Sequence, residues 1–310
     1  MKVIRGLDDA GALRGCAVAI GNFDGVHLGH RRLLETARAR AATHRSLSVA
    51  LTFEPHPAQV LRPSMAPPTL TPLPRKLELL DEAGMDAVVV LPFDLDYAAT
   101  PAAEFVRRDL CARLGASDVV VGYDFTAGHE RARVDALGEM LLACGIGLAV
   151  IQPVTADGLT VSSTKVREFL LEGNVEAAGV LLGRPHDVEA LVERGAGRGR
   201  RLGFATANLR PEGLLPAQGV YAARAWLGAR VFDAVCNVGV KPTVEESGPV
   251  GLEAHLLGHD GSDLYGERVR VEFVARIRPE RRFPSLDALR AQIAADVETA
   301  AGLLRRGLGH

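Results

Sequence analysis

The sequence has 310 residues, of which 47% are hydrophobic and 24% are charged, and its formal net charge is -2. This length suits two domains better than one core, and the composition is ordinary for a globular protein. The near-neutral charge disfavours a nucleic-acid-binding protein, since that class carries a basic excess, and no apolar run approaches the roughly 20 residues that cross a bilayer.

The first half of the sequence alternates apolar strand patterns with helical patterns. Strands are predicted over residues 17–20, 47–53, 87–91, 118–121 and 148–154. Helices are predicted over 31–42, 75–83 and 135–144, and another begins with Thr100 as N-cap and Pro101 as its first residue and stops at Gly115. Two more helices follow, over 162–173 and 174–183. This alternation predicts a parallel sheet with crossover helices.

The second half has closely spaced strands with no room for crossover helices. Strand patterns cover residues 188–193, 219–227, 230–238, 251–259 and 268–278. A final helix is capped by Ser285 and places Leu286, Leu289, Ile293 and Val297 on one face. We therefore predict an antiparallel β-barrel closed by a C-terminal helix. A Pro/Gly break over 183–187 separates the halves, so the predicted domains are 1–185 and 186–310.

A glycine-rich turn, Gly-Asn-Phe-Asp-Gly-Val-His-Leu-Gly-His over residues 21–30, directly follows the first predicted strand. A helix begins after it, so free backbone N–H groups can face an anion at the carboxyl end of the strand. His27 and His30 are three residues apart and can share one side of the first helical turn. Two imidazoles beside free amides suit a triphosphate, although a surface turn with two solvated histidines is the commoner explanation of this spacing alone.

A second polar cluster follows the last strand pattern of this half and consists of Ser162, Ser163, Thr164 and Arg167. Hydroxyls at a helix start can cap the helix or hold an anion. The Arg167 guanidinium can grip a phosphate through two hydrogen bonds. Plain helix capping explains the hydroxyls equally well.

In the second half, a glycine- and arginine-rich loop runs through residues 195–209. Thr206 and Asn208 are two residues apart, so on an extended segment their side chains point the same way. Hydroxyl and amide oxygens suit Mg²⁺ that also binds phosphate. Glu253 is a charge in an apolar strand and is either a solvated carboxylate or a placed base. A flexible nucleic-acid-binding tail is the alternative for the loop.

The motifs of both halves resemble the prokaryotic bifunctional riboflavin kinase/FMN adenylyltransferase (FAD synthetase) family. In the first half the similarity rests on G-x-F-D-G-V-H-x-G-H at 21–30, T-F-x-P-H-P at 52–57 and S-S-T-x-x-R at 162–167. In the second half it rests on G-R-x-L-G-x-x-T-A-N at 199–208 and N-V-G-V-K-P-T at 237–243. The resemblance implies a Rossmann-like α/β nucleotidyltransferase domain followed by an antiparallel riboflavin kinase barrel with a C-terminal helix.

The resemblance also implies the reactions and the residues that serve them. Riboflavin would be phosphorylated to FMN with ATP, and FMN would be adenylylated with ATP to give FAD and pyrophosphate, with Mg²⁺ as cofactor. Catalytic roles are implied for Glu253, His27, His30 and Arg167. Nucleotide binding is implied for Gly21, Asn22, Phe23, Asp24, Gly29, Ser162, Ser163, Thr164, Arg200, Gly203 and Phe204. Flavin binding is implied for His56, Asp124 and Arg278, and metal binding for Thr206 and Asn208.

The sequence departs from the family pattern at three places. Ala205 stands where the family has Pro, Gly258 stands where it has Asp, and the stretch after Phe125 lacks the usual Arg-Phe-Gly-like run. Loss of one activity is therefore the first alternative. A non-catalytic flavin or nucleotide sensor is the second, and an RNA-binding barrel, which the net charge disfavours, is the third.

The expected surroundings are those of a cytoplasmic enzyme. The N-terminus has no secretory signal pattern, and Cys16, Cys111, Cys144 and Cys236 are far apart and form no zinc spacing. The expected partners are riboflavin, FMN and ATP, with no nucleic acid, no membrane and at most a transient homo-oligomer.

Overall fold

The computed structural model describes residues 1–193, 206–240, 250–260, 262 and 264–306. The chain divides into two compact units, Met1–Ser162 and Ser163–His310. The predicted boundary at 185/186 lies two helices further along. Because these helices pack in the second unit, the boundary between the packing units differs from the predicted boundary between the domains. The domain boundary at 185/186 stays a prediction.

The first unit contains a parallel sheet of six strands in the order β1-β4-β3-β2-β5-β6. Their bounds are Lys2–Arg5 (β1), Ala17–Ile20 (β2), Ser48–Glu54 (β3), Ala87–Pro92 (β4), Asp118–Gly122 (β5) and Gly147–Ile151 (β6). The predicted parallel sheet is confirmed. Strand β1 was not predicted, because only Ile4 of its four residues is buried and it therefore shows no apolar run.

Helices connect these strands on both faces of the sheet. They are Leu28–His44 (α1), Pro57–Leu61 (α2), Leu73–Glu82 (α3), Leu95–Ala98 (α4), Ala102–Glu104 (α5), which continues as a π-helical segment over Phe105–Arg113, and Val134–Ala143 (α6). Short 3₁₀ turns cover Ala10–Leu13 and Pro63–Met65, and a small hairpin consists of Thr155–Ala156 (β7) and Leu159–Thr160 (β8).

Alternate residues of each strand pack on opposite faces of the sheet, as strand geometry requires. On one face, Val18 and Ile20 of β2 join Leu110 of the π-helical segment and Leu137 of α6 in one core cluster. On the other face, Ala19 of the same strand packs with residues of α1 and α3. The sheet is thus buried on both sides, which leaves its ends as the places where polar groups can be presented.

The start of α5 differs from its prediction. Pro101 is the N-cap and the helix begins at Ala102, so the prediction of Thr100 as the N-cap is wrong by one residue. The Thr100 carbonyl instead accepts a hydrogen bond from His129 N–H at 3.1 Å. A carboxylate from another loop does the capping, because Glu130 Oε1 accepts the Ala102 N–H at 2.9 Å.

The second unit begins with two helices, Ser163–Glu172 (α7) and Val175–Leu182 (α8). Arg276 holds them to the barrel that follows. Its Nη1 donates to the Glu172 carbonyl at 3.1 Å and its Nη2 donates to the Gln218 carbonyl at 2.9 Å. These bonds join α7 to the barrel, so α7 packs with the second unit although the family resemblance places its motif in the first segment.

The barrel is closed and antiparallel, with strand order β10-β13-β12-β11-β14-β9. The strands are His186–Glu193 (β9), Ala207–Glu212 (β10), Gly219–Leu227 (β11), Arg230–Val240 (β12), Val250–Leu256 (β13) and Arg268–Arg278 (β14). A final helix, Leu286–Arg306 (α9), follows. The predicted barrel with a C-terminal helix is confirmed, and β10, which extends the predicted loop, completes the ring.

Helix α9 packs on the outer side of the barrel through its C-terminal half. Ala300 and Leu304 contact Val220 and Val235, and Ser285 caps the helix by accepting the Ala288 N–H at 3.2 Å, as predicted. Leu286, the first residue of the predicted apolar face, is 68% exposed, so that face is not buried along its whole length.

Candidate active sites

The turn between β2 and α1 is held in a shape that few residues adopt. Phe23 and Val26 have φ angles of 48° and 41°, and Gly25 lies between them with φ 92°. Non-glycine residues rarely occupy this region unless the surroundings over-determine it. Burial supplies that constraint here, because the Phe23 side chain is fully buried and Val26 is nearly so.

Asp24 ties this turn to the segment before α3. Its carboxylate is buried and accepts hydrogen bonds from the backbone N–H groups of Leu70, at 3.0 Å, and Thr71, at 2.9 Å. A carboxylate that accepts backbone N–H groups acts as a fixed support. Asp24, predicted to bind nucleotide, therefore braces the turn in this structure, and any contact with a nucleotide stays a prediction.

His27 and His30 form one packed pair at the start of α1. His27 is the N-cap, and its Nδ1 accepts the His30 N–H at 3.2 Å. The two imidazole rings stack with their centroids 3.6 Å apart and an interplanar angle of 12°. The Phe23 ring meets His30 edge-on at 5.4 Å. Two freely solvated histidines are therefore not what the structure shows: the rings are fixed by capping and stacking.

Gly21 and Gly29 leave room for these rings. A Cβ at Gly29 would lie 3.1 Å from Cε1 of His27, which is closer than ordinary side-chain packing allows. A Cβ at Gly21 would lie 3.3 Å from the Phe23 ring. The neighbouring rings thus give a steric reason for glycine at both positions, and this reason does not depend on a ligand.

A buried lysine that sequence reasoning missed lies next to the histidine pair. Lys76 of α3 is only 3% exposed, and the carboxylates of Asp24 and Glu54 interact with its charge. Burial lowers the pKa of His30 well below its ordinary value, and the charges of His27 and Lys76 lower it further. The Nδ1 of His30 is buried and has no hydrogen-bond partner among the described residues. Burial and the neighbouring charges therefore both favour the uncharged form of the His30 imidazole.

The neighbouring strand ends carry the predicted flavin-side residues. At the end of β3, Thr52 Oγ1 donates to the Asn22 carbonyl at 3.2 Å, which joins β3 to the turn after β2. His56 caps the short helix α2 by accepting the Ala58 N–H at 3.1 Å. Asp124, after β5, is exposed. The structure gives His56 a capping role, and flavin binding by His56 and Asp124 stays a prediction.

The second polar cluster begins at the last residue of the first unit and continues into the second along the chain. Ser162 is the last residue of the first unit, and Ser163 and Thr164 are the first residues of α7. Arg167 is buried on the second turn of that helix. The predicted helix start is confirmed, and phosphate binding by these residues stays a prediction.

In the barrel, three polar side chains form a row across neighbouring strands. Asn208 of β10 lies directly opposite Glu253 of β13, and Glu253 lies directly opposite Asn237 of β12. Directly opposite residues of antiparallel strands project from the same face of the sheet. Asn237 projects on the same face as Val235, which packs against α9, so the row lies on the outer face of the barrel. We call Asn208, Glu253 and Asn237 the barrel row.

Glu280 extends the barrel row. Its Oε1 accepts a hydrogen bond from Asn237 Nδ2 at 3.1 Å, and its carboxyl group lies where a Cβ on Gly239 would be. Neither Asn237 nor Glu280 was among the predicted site residues, although Asn237 begins the quoted family motif at 237–243. The local sequence could not indicate that these residues belong to the site, because cross-strand pairing brings together residues that are far apart in the chain.

Arg278, predicted to contact flavin, is engaged by the C-terminal helix. Its guanidinium donates to both carboxylate oxygens of Asp296 over 2.8–3.1 Å, and Asp296 is almost fully buried. The same guanidinium lies 5.6 Å from the centre of the Phe283 ring. The pair joins β14 to α9. Flavin binding by Arg278 stays a prediction, and it would have to coexist with this ion pair.

Three predicted nucleotide-binding residues, Arg200, Gly203 and Phe204, and the substituted position Ala205 lie outside the described residues. Thr206 and Asn208 are described and half-buried, two residues apart at the start of β10. Their hydroxyl and amide oxygens, with the Glu253 carboxylate opposite, are hard donors that suit Mg²⁺. No cluster of three or more His, Cys, Asp or Glu in the described part of the chain could hold a metal by itself.

Two family profiles match this chain. The family profile described as FAD synthetase matches residues 9–165, and the profile described as riboflavin kinase matches residues 182–304. No helix within the described ranges is long and apolar enough to cross a bilayer.

The similarity to curated relatives extends over almost the whole chain. A bifunctional riboflavin kinase/FMN adenylyltransferase of Pseudomonas fluorescens is 39% identical, and the alignment covers 98% of each protein. The proteins of that name from Escherichia coli K12 and Bacillus subtilis 168 are 38% and 34% identical, over 97% and 91% of this chain and 97% and 90% of their own lengths. A crystal structure from Streptococcus pneumoniae, described as a macrolide-efflux protein, superposes with a TM-score of 0.88 at 28% identity and covers 97% of this chain and 99% of that one.

Proposed function

This chain belongs to the bifunctional riboflavin kinase/FMN adenylyltransferase family, and from that premise we propose that it makes FAD from riboflavin in two ATP-dependent steps. The segment matched by the riboflavin kinase profile converts riboflavin to FMN. The segment matched by the FAD synthetase profile converts FMN to FAD and releases pyrophosphate. The observation that carries the proposal is that each segment keeps its own polar constellation, the stacked His27 and His30 in one and the barrel row in the other.

In the kinase reaction, Glu253 is the proposed general base. It accepts the proton of the riboflavin 5′-hydroxyl as that oxygen attacks the γ-phosphorus of ATP and ADP leaves. Asn208 and Asn237 lie directly opposite Glu253 on the two neighbouring strands, so the proposed base is carried by a hydrogen-bonded sheet. Thr206 and Asn208 would hold Mg²⁺, which when bound neutralises the charge of the ATP phosphates.

In the adenylyltransferase reaction, a phosphate oxygen of FMN attacks the α-phosphorus of ATP and pyrophosphate leaves. His27 and His30 are placed at the N-terminus of α1, where helix N–H groups also face an anion. We propose that the imidazoles donate hydrogen bonds to the charge that builds on the phosphates, and that Ser162, Ser163, Thr164 and Arg167 bind the nucleotide. Both reactions then proceed by positioning and charge stabilisation, with no covalent enzyme intermediate.

The test is to supply riboflavin or FMN separately, with ATP and Mg²⁺, and to resolve the flavins by chromatography. Riboflavin should give FMN and then FAD, and FMN should give FAD. FMN that accumulates from riboflavin without FAD would remove the adenylyltransferase claim. FAD formed from supplied FMN but not from riboflavin would remove the kinase claim. Tight flavin binding with no turnover would instead support a sensor. A cytoplasmic location and a transient homo-oligomer remain proposals beside this one.

A further inference from the structure

Lys76 is a charged residue in a buried position, where loss of hydration is unfavourable. Its side chain is 3% exposed on α3, in the second turn after Pro72, whose carbonyl accepts the Lys76 N–H at 2.9 Å. Moving an ammonium out of water is unfavourable unless opposite charges compensate. No part of the reaction scheme above uses this residue, so its burial calls for an explanation.

Two carboxylates supply the compensation. Asp24, in the turn after β2, and Glu54, at the end of β3, both favour the charged form of Lys76, against the burial that lowers its pKa. With the ammonium present, Lys76, Asp24 and Glu54 together carry one net negative charge. Without the ammonium, the two carboxylates would carry two negative charges. Asp24 is buried and Glu54 is half-buried, so two uncompensated negative charges there would be poorly solvated, and the protonated lysine is the stable state.

This charge balance matters for a site that receives phosphates. Asp24 is fixed by the Leu70 and Thr71 N–H groups and belongs to the turn that ends in His27. Charges interact more strongly in a protein interior than in water. Two uncompensated carboxylates, one in that turn and one at the end of β3, would repel ATP and FMN, and the ammonium removes half of that repulsion.

Lys76 also acts on the histidine pair. Its charge is close enough to His30 to disfavour the imidazolium form of that ring. The charged or titratable groups that the described part of the first unit places around His30 are His27, stacked on it, and Lys76, with Asp24 and Glu54 next to Lys76. The buried His30 Nδ1 without a described partner fits a ring that stays uncharged until a ligand arrives.

We propose that Lys76 is a positioning residue for adenylyl transfer, whose ammonium offsets Asp24 and Glu54 and sets the charge beside His30 so that the ATP triphosphate can dock on the turn. This inference rests on the proposed function of the first segment. Lys76 touches neither reacting phosphate; it acts through the turn and through His30.

The experiment compares Lys76→Met with Lys76→Arg in the full chain and measures FAD formation from FMN over a range of ATP concentrations. We expect the KM for ATP to rise about tenfold in Lys76→Met, the scale of losing one partly screened charge–charge interaction, with a smaller change in kcat. Lys76→Arg should restore most of the loss because it keeps the charge. Riboflavin phosphorylation is assigned to the other segment and serves as the folding control. Lys2→Met is the matched control variant, because Lys2 is an exposed lysine in the same unit.

A second readout does not depend on activity. The titration of the His30 imidazole, followed by NMR and assigned with His30→Asn, should move to higher pH in Lys76→Met, because a neighbouring positive charge is removed. An unchanged KM together with an unmoved titration would overturn the inference. If Lys76→Met also loses riboflavin phosphorylation, Lys76→Gln replaces it as the neutral variant. If the wild-type chain makes no FAD from FMN, the proposed function fails, and the His30 titration still decides whether Lys76 sets the charge there.

Discussion

At the scale of single residues, the histidine pair depends on a glycine as much as on the histidines. Gly29 has no side chain, and a Cβ added there would lie only 3.1 Å from Cε1 of the His27 ring. The ring cannot withdraw freely, because its Nδ1 caps α1 and its face stacks on His30. The geometry of the proposed adenylyltransferase site is therefore sensitive to one methyl group.

We predict that Gly29→Ala lowers the rate of FAD formation from FMN by about tenfold, because a displacement of a few tenths of an ångström misplaces both imidazoles. Riboflavin phosphorylation should be unaffected. Gly11→Ala is the control, since a Cβ there meets nothing within 4 Å. Both rates are measured in the same flavin assay. A Gly29→Ala protein with normal FAD formation would show that the pair tolerates movement and that its stacking is not part of the site.

At the scale of elements, the barrel and its C-terminal helix are joined by one buried ion pair. Arg278 at the end of β14 donates to both oxygens of Asp296 on α9, and only 3% of the Asp296 side chain is exposed. Apolar contacts of Ala300 and Leu304 add to this junction. Removing one member of a buried ion pair leaves the other charge uncompensated. This lowers stability more than the loss of a surface ion pair does.

We predict that Asp296→Ala destabilises the second unit by about 3 kcal/mol, since it leaves the Arg278 guanidinium without its carboxylate. Asp287→Ala on the same helix should change stability by less than about 0.5 kcal/mol, because Asp287 is 95% exposed and lies 4.0 Å from Arg290. Urea unfolding can be followed by the fluorescence of Trp226, the single tryptophan of the sequence, on β11 of the barrel. Equal midpoints for the two variants would contradict the assigned role of the pair.

At the scale of the whole molecule, the two proposed catalytic groups belong to different packing units. His27 lies in Met1–Ser162 and Glu253 lies in Ser163–His310. We predict that Glu253→Gln abolishes FMN formation and spares FAD formation from supplied FMN, and that His27→Ala does the reverse. The flavin assay with each substrate measures both. Equal loss of both activities in either folded variant would contradict separate sites.

A mixture of the two variants provides a stricter test of that separation. Neither Glu253→Gln nor His27→Ala should convert riboflavin to FAD by itself. The mixture should do so after a lag, because FMN released by the His27→Ala protein can be adenylylated by the Glu253→Gln protein. The time course of FAD is followed by chromatography. A mixture that accumulates FMN, while each protein keeps its remaining activity when assayed alone, would mean that FMN does not pass between molecules.

Local patterns in the sequence were sufficient for the elements and the motifs. Strand β2 and strand β14 begin and end as predicted, because their apolar or alternating residues are contiguous and strand burial follows them directly. The turn at 21–30 and the helix start at 162–164 were placed correctly for the same reason. Strand β1 was not predicted, because it has a single buried residue and no apolar run. The N-cap of α5 was predicted one residue too early.

The amino-acid sequence was therefore sufficient for the order of strands and helices, the position of the glycine-rich turn and the family to which the motifs point. The contacts between distant residues became visible only in the folded structure. There Asn208 and Asn237 lie opposite Glu253, Lys76 is buried where the charges of Asp24 and Glu54 act on it, and Arg278 pairs with Asp296. The physical reason is that strand register and helix docking follow from the packing of the whole core, so contacts between residues far apart in the chain leave no local pattern to read.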